Sequence, residues 1–154
     1  NADKYPDDPL APQQMGFDYV FAVTMMAQPL AWFEGTGLPE DAYEIAPLMR
    51  TYRQHQHAIH QGVILPIGEE PCGASWTGFQ SVGEGGGYVL VFREMHPDSR
   101  QTLRLWNLAG RTVRMEPLGG DGERFETQVG PSGEASFELP NHFRFAFYRY
   151  EVIG

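Results

Sequence analysis

The sequence predicts a mainly β protein in which an antiparallel β-sandwich is preceded by a strand-plus-long-helix unit. Two periodicities indicate this fold class: apolar residues recur at every second position from residue 75 onward, and at helical spacing between residues 39 and 61. The chain has 154 residues, of which 42% are hydrophobic, so it is long enough for one domain with a sizeable core. Its 18 glycines and 12 prolines are typical of a turn-rich globular protein.

Seven short runs with strand periodicity fill the second half of the chain. Links rich in glycine, proline, asparagine and aspartate separate them, as turns between antiparallel strands require. Short strands at this spacing are typical of a sandwich. The second run is apolar from Tyr88 to Phe92 and is therefore expected to be a central strand. The runs are 75–82, 88–94, 101–107, 111–117, 124–129, 134–139 and 142–152.

The first half contains the two elements that precede the sandwich. Residues 21–26 are apolar without interruption, which predicts a strand buried on both faces. The spacing of apolar side chains predicts a helix over 39–61, and Pro47 is expected to kink or restart it. Gly62 is well placed to cap the end of this helix, and residues 63–67 are expected to be extended.

Composition and periodicity divide the chain into three parts. Residues 1–16 are interpreted as a tag scar and Pro-rich lead-in, because the chain begins Asn1-Ala2 and shows no periodicity before Gly16. Residues 17–68 form the strand and helix unit, and residues 75–154 form the antiparallel β-sandwich.

The net charge and the hydropathy of the chain indicate which kinds of binding partner are not expected. The net charge is −9 and Lys4 is the only lysine, which disfavours a nucleic-acid partner. No apolar run approaches the ~20 residues that cross a bilayer, so no membrane partner is expected. The single cysteine, Cys72, cannot form an internal disulfide and leaves the localisation unknown.

The first half of the chain contains a series of short motifs, in the order Asp18-Tyr19, Phe21-Ala22, Thr24-Met25-Met26, Glu40, Tyr52-Arg53, His60-Gln61-Gly62, Leu65 and Ser75-Trp76. This order resembles the C-terminal end of α-galactosidase-like glycoside hydrolases. These are the melibiase group, families 36 and 27 and their relatives. In that group the last strand of a (β/α)8 barrel carries a Thr-Met-Met-like run, a long helix follows, and a C-terminal sandwich opens with a tryptophan.

The resemblance implies a role in carbohydrate metabolism without catalysis. Residues 17–68 would be the terminal strand and helix of the barrel, and the family's two catalytic aspartates would lie upstream. No residue here inherits a catalytic role, and the chain is expected to be inactive alone. Its partner would be the upstream catalytic barrel of the parent chain. Possible substrate-binding residues at the C-terminal end of the predicted strand are Thr24, Met26 and Gln28.

Two other candidate sites, the helix histidines and Asp18, are better explained by structural roles than by functional ones. His57 and His60 are three positions apart on the predicted helix, so both could reach one metal ion. No third residue follows at a spacing typical of a metal site, so neither a metal nor a cofactor is expected. Asp18, at the start of the predicted strand, is interpreted as structural.

Sugar binding by the sandwich is the alternative function. Trp106 alternates with the inward Leu103 and Leu105, so it is expected to point outward and to offer a ring for stacking on carbohydrate. Under this alternative the chain is a carbohydrate-binding module. If the chain is a piece cut from a larger enzyme, the apolar faces of residues 21–26 and of the helix lose their barrel partners. Either a homo-oligomer is then expected, or the strand folds back onto the sandwich.

Overall fold

The computed structural model describes residue 7 and residues 15–29 and 40–154. Two helices and eight strands follow one another in the described part of the chain. The helices are α1 (Phe17–Thr24) and α2 (Ala46–Gln61), each adjoined by a 3₁₀ turn, Met25–Ala27 after α1 and Glu40–Ile45 before α2. The strands are β1 (Val63–Gly68), β2 (Trp76–Val82), β3 (Gly86–Arg93), β4 (Arg100–Arg104), β5 (Thr112–Gly120), β6 (Phe125–Gln128), β7 (Glu134–Glu138) and β8 (Arg144–Val152).

Six strands form one antiparallel sheet in the order β1-β2-β3-β8-β5-β6, and β4 pairs with β7 in a second, smaller sheet. The predicted mainly β class is confirmed. The large sheet packs against the β4–β7 pair through one face and against the helices through the other, so two hydrophobic clusters lie on opposite sides of it. The sandwich is therefore asymmetric, with helices as a third layer.

The centre of the large sheet is β3, as the apolar run predicted. Side chains from Tyr88 to Phe92 are all buried, and they alternate between the two clusters. Val89 and Val91 face the β4–β7 pair, whereas Tyr88, Leu90 and Phe92 face the helices. A strand that is covered on both faces has no solvent side, which explains why its sequence does not alternate.

The first strand belongs to the sandwich. β1 pairs antiparallel with β2, and Pro66 stands opposite Phe79 in their register. Proline is tolerated there because β1 lies at the edge of the sheet, where a missing N–H breaks no ladder. The segment that was predicted only as extended thus forms one border of the large sheet.

The strand predicted over residues 21–26 is wrong: these residues continue α1 and then form a 3₁₀ turn. Tyr19, Ala22, Met25 and Met26 are buried against the sheet, at spacings that a helix brings to one face. None of the sheet pairings in the described chain involves this segment. A helix satisfies the hydrogen bonds of its own backbone N–H and C=O groups, whereas an unpaired strand would leave these groups without partners.

The long helix restarts as predicted at its proline. Residues Glu40–Ile45 form the 3₁₀ turn, and α2 begins at Ala46 with Pro47 in its first turn, where no intrahelical N–H bond is lost. Gly62 is the C-cap, and its N–H donates to the carbonyl of Ile59. The Ser81 hydroxyl of β2 also donates to the Ile59 carbonyl, at 2.7 Å, and so joins the end of α2 to the sheet.

Candidate docking surface and groove

A groove with a volume of about 760 Å³ lies between α1 and the sheet edge formed by β1 and β2. Its wall is mainly apolar: α1 contributes Tyr19 and Val23, the sheet contributes Phe79 and Phe92, and Trp106 closes one side. Its charged residues, among those that the structure describes, are Glu69, Glu70 and Glu94. Such a surface suits binding, because an apolar wall gives contact area and the carboxylates give directed hydrogen-bond acceptors.

Trp106 is held rigidly at this groove. The Trp106 N–H donates to Gln80 Oε1 at 2.7 Å, and Gln80 Nε2 donates to the Trp106 carbonyl at 3.0 Å. Its indole N–H donates to the carbonyl of Pro66, at 2.8 Å, on the edge strand. The side chain remains 41% exposed, so the prediction that it points outward is confirmed. Two hydrogen bonds thus fix the backbone of Trp106, and a third fixes its indole, while the residue stays partly open to solvent.

The buried end of the groove holds a tyrosine beside a carboxylate. Glu94 Oε2 accepts hydrogen bonds from the backbone N–H groups of Cys72, Gly73 and Ser75 and from the Ser75 hydroxyl. Burial, and then the negative charge of Glu94, raises the pKa of Tyr19 to about 12. The phenol therefore stays protonated at neutral pH, while Glu94 orders the loop that follows β1.

The helix α1 is apolar on two sides. Its inner side carries the buried Tyr19 and Ala22. Its outer side exposes Phe17, Val20 and Val23, at 37%, 42% and 50% of their surface. A soluble helix that packs on one core normally has a polar outer face. The outer face of α1 is thus a candidate docking surface, and Val23 connects it with the groove.

Ion pairs set the position of α1 on the sheet. Arg144 of β8 donates to both carboxylate oxygens of Asp121, at 2.6 and 2.7 Å, and lies 3.1 Å from Asp18 Oδ2 at the start of α1. The hydrogen bond to Asp121 is the main cause that raises the pKa of Arg144. Asp18 thus forms a structural contact, in keeping with its interpretation from the sequence.

The predicted substrate-binding residues do not come together. Thr24 is exposed, and its hydroxyl donates to the Phe21 carbonyl within α1 at 2.7 Å. Met26 is buried in the cluster beneath the helices, and Gln28 is exposed in the left-handed conformation that ends the 3₁₀ turn. Of the four, Trp106 alone lines the groove. Of the other tryptophans, Trp76 is buried, and Trp32 lies outside the described residues.

The helix histidines contact tyrosines. His55 Nδ1 lies 3.0 Å from the Tyr88 hydroxyl, and His60 Nε2 lies 3.3 Å from the Tyr52 hydroxyl. Burial, and then the positive charge of Arg149, lowers the pKa of His55. Within residues 7, 15–29 and 40–154, no group of three or more His, Cys, Asp or Glu is arranged to hold a metal ion.

Sequence reasoning missed the groove, although one signal pointed to it. Gln80 occupies an inward position of β2, in alternation with Trp76 and Gly78, and is completely buried. A polar side chain at an inward position must find buried partners, and those partners are the Trp106 backbone and the Tyr150 hydroxyl. The partner at Trp106 is 26 residues away in the chain, so the sequence alone did not identify it.

In comparisons with known proteins, no family model matches the chain, and no curated protein matches it. In the part of the chain that the structure describes, neither helix has the length and apolar character needed to cross a membrane.

Proposed function

We propose that the chain is a non-catalytic C-terminal module of an α-galactosidase-like glycoside hydrolase, and that it supports the catalytic barrel by packing against it. The motif order from Asp18 to Trp76 suggests the enzyme class. The observation that carries the docking role is the second apolar face of α1, which exposes Phe17, Val20 and Val23. Exposed apolar side chains that adjoin one another mark protein interaction sites more often than chance.

The helix layer is the part of the module that would contact the barrel. Tyr43 and Met49, on the 3₁₀ turn and on α2, are also exposed apolar side chains, at 63% and 38%. The opposite layer, formed by β4 and β7, alternates buried and polar exposed positions, as a solvent-facing strand pair does. Because α1 is a helix, the proposal no longer includes a barrel strand within residues 21–26.

The docking role predicts self-association of the chain when no barrel is present. The double substitution Val20→Lys with Val23→Lys is expected to shift the chain from dimer or larger species toward monomer, because two buried valines at an interface contribute about 3 kcal/mol. Sedimentation velocity over a range of concentrations measures the shift. Ile153→Lys, which changes an equally exposed apolar residue at the end of the chain, is the matched control. A wild-type chain that is monomeric at every concentration contradicts the prediction.

The reading frame upstream of Asp3 in the parent gene tests the enzyme class directly. A frame that encodes alternating strands and helices with two aspartates at strand ends supports the proposal. A frame that encodes an unrelated domain, or nothing, overturns it.

A carbohydrate-binding sandwich is the second candidate function, and the exposure and anchoring of Trp106 favour it. A rigid aromatic face loses little conformational entropy when a sugar ring stacks on it. Retardation in an affinity gel that contains galactan, lost in Trp106→Ala and kept in Met95→Ala, would support this function. Met95 is the control because it is similarly exposed, at 39%. Equal migration of wild type and Trp106→Ala would exclude it for this polysaccharide.

A further inference from the structure

The groove beside α1 has a charge pattern of its own. Among the described residues, its lining includes Glu69, Glu70 and Glu94 and no lysine, arginine or histidine. Within the described part of the chain, none of these three carboxylates forms an ion pair. The groove therefore combines a net negative charge with an apolar wall, in a protein that is already acidic. A cation with an apolar body is the ligand chemistry that matches both properties.

The aromatic part of the wall favours a flat cation. The indole N–H of Trp106 is engaged by the Pro66 carbonyl, so the exposed part of this side chain offers a ligand aromatic contact rather than a hydrogen-bond donor. Phe79 is also partly exposed along the same wall. A guanidinium group stacks on aromatic faces and donates in a planar fork to carboxylates, and its propyl stem can lie on apolar surface. An ammonium group lacks the planar fork, and a neutral sugar would gain no attraction from three negative charges.

We infer that the groove binds an arginine side chain, presented by the polypeptide on which the module docks. This inference rests on the proposed docking function and names the chemistry of the partner surface. Arginine is enriched at protein interfaces, where it acts as an anchor that enters a pocket. Because Val23 belongs both to the exposed face of α1 and to the groove, an arginine at the edge of the docked surface would enter the groove while its apolar neighbours cover α1.

The test titrates the intact chain with N-butylguanidinium and with N-butylurea, which has nearly the same shape but no charge. Two-dimensional NMR follows the indole N–H of Trp106 and the backbone of Glu69 and Glu70. N-butylguanidinium is expected to shift these signals and to bind about fivefold more tightly than N-butylurea. High salt should weaken the binding, since the carboxylates Glu69 and Glu70 are exposed.

Charge-neutral variants locate the binding. The pair Glu69→Gln with Glu70→Gln is expected to reduce the N-butylguanidinium affinity about fivefold. The pair Glu84→Gln with Glu123→Gln removes two exposed carboxylates elsewhere and is expected to leave the affinity unchanged. This control separates a local effect from a change in net charge.

Three results would overturn the inference. They are equal binding of N-butylurea, an affinity that the Glu69→Gln and Glu70→Gln pair does not change, and shifts at Trp106 produced by methyl α-galactoside but not by N-butylguanidinium. The last result would instead favour the carbohydrate-binding module. None of these tests involves the upstream reading frame or self-association, so a failure of the arginine inference can be told apart from a failure of the docking function.

Discussion

Replacing Arg93 with methionine is expected to lower the free energy of unfolding by about 3 kcal/mol, because it leaves one buried and three partly buried carbonyl groups without their donor. Arg93 is 4% exposed at the end of β3. Its Nε and Nη2 donate to the His96 carbonyl at 3.0 and 2.8 Å, and Nη2 also donates to the Pro97 carbonyl at 3.0 Å. Its Nη1 donates to the carbonyls of Leu139 and Pro140 at 2.9 and 2.7 Å.

These bonds make the guanidinium a clamp at one end of the sandwich. They join β3 of the large sheet to the loop before β4 and to the segment after β7, and therefore hold the two sheets together. Methionine has a similar length but no donors, so four carbonyls would lose their partners. Arg93→Lys keeps the charge but offers three donors from one atom, and it is expected to recover only part of the stability.

Thermal unfolding followed by circular dichroism measures the effect of Arg93→Met. A loss of about 3 kcal/mol corresponds to a Tm lower by about 10 °C for a chain of this size. The matched control is Arg111→Met, because the exposed Arg111 side chain forms no hydrogen bond or ion pair within the described part of the chain. Equal Tm values for the two variants would show that the clamp does not stabilise the fold.

The strands of the sandwich were predictable because they are short and their periodicity is local. All seven predicted runs correspond to strands, and most differ from them by only one or two residues at their ends. Val113, Met115, Ala135 and Phe137 are buried between the sheets, as their alternation predicted. The strand over 101–107 ends early, at Arg104, because Trp106 turns toward β1 and Asn107 adopts a left-handed conformation. The end of this strand is therefore set by long-range hydrogen bonds, which cannot be predicted from the local periodicity of the sequence.

The segment over residues 21–26 was mispredicted because a continuous apolar run fits two structures. A strand covered on both faces and a helix with two apolar faces give the same composition. The described structure selects the helix, since Tyr19, Ala22 and Met25 reach the sheet together from one side. The remaining apolar side chains then face outward. That outward face is the feature on which the proposed docking role depends, and no sequence pattern distinguished it from a buried strand.

Trp76→Ala is expected to be more destabilising than any other single substitution considered for this chain, by about 4 kcal/mol. Trp76 is fully buried at the start of β2, in the cluster between the two sheets. Its indole N–H donates to the Asp98 carbonyl at 3.0 Å, so the side chain also holds the loop before β4. Truncation would remove the largest fully buried side chain among the described residues and open a cavity that the surrounding strands cannot fill. Since domains of this size are stable by only about 5 to 15 kcal/mol, much of the native stability would be lost.

Denaturation by urea, followed by far-UV circular dichroism, measures the loss, and Trp106→Ala provides the contrast. Trp106 is 41% exposed, and its backbone hydrogen bonds to Gln80 persist when the ring is removed. Its truncation should therefore cost about 1 kcal/mol, mainly from the lost hydrogen bond to Pro66. Comparable losses for both tryptophans would mean that Trp106 is part of the core. A small loss for Trp106 together with a large one for Trp76 would leave the ring of Trp106 free to serve binding, because its removal changes the groove and leaves the sandwich intact.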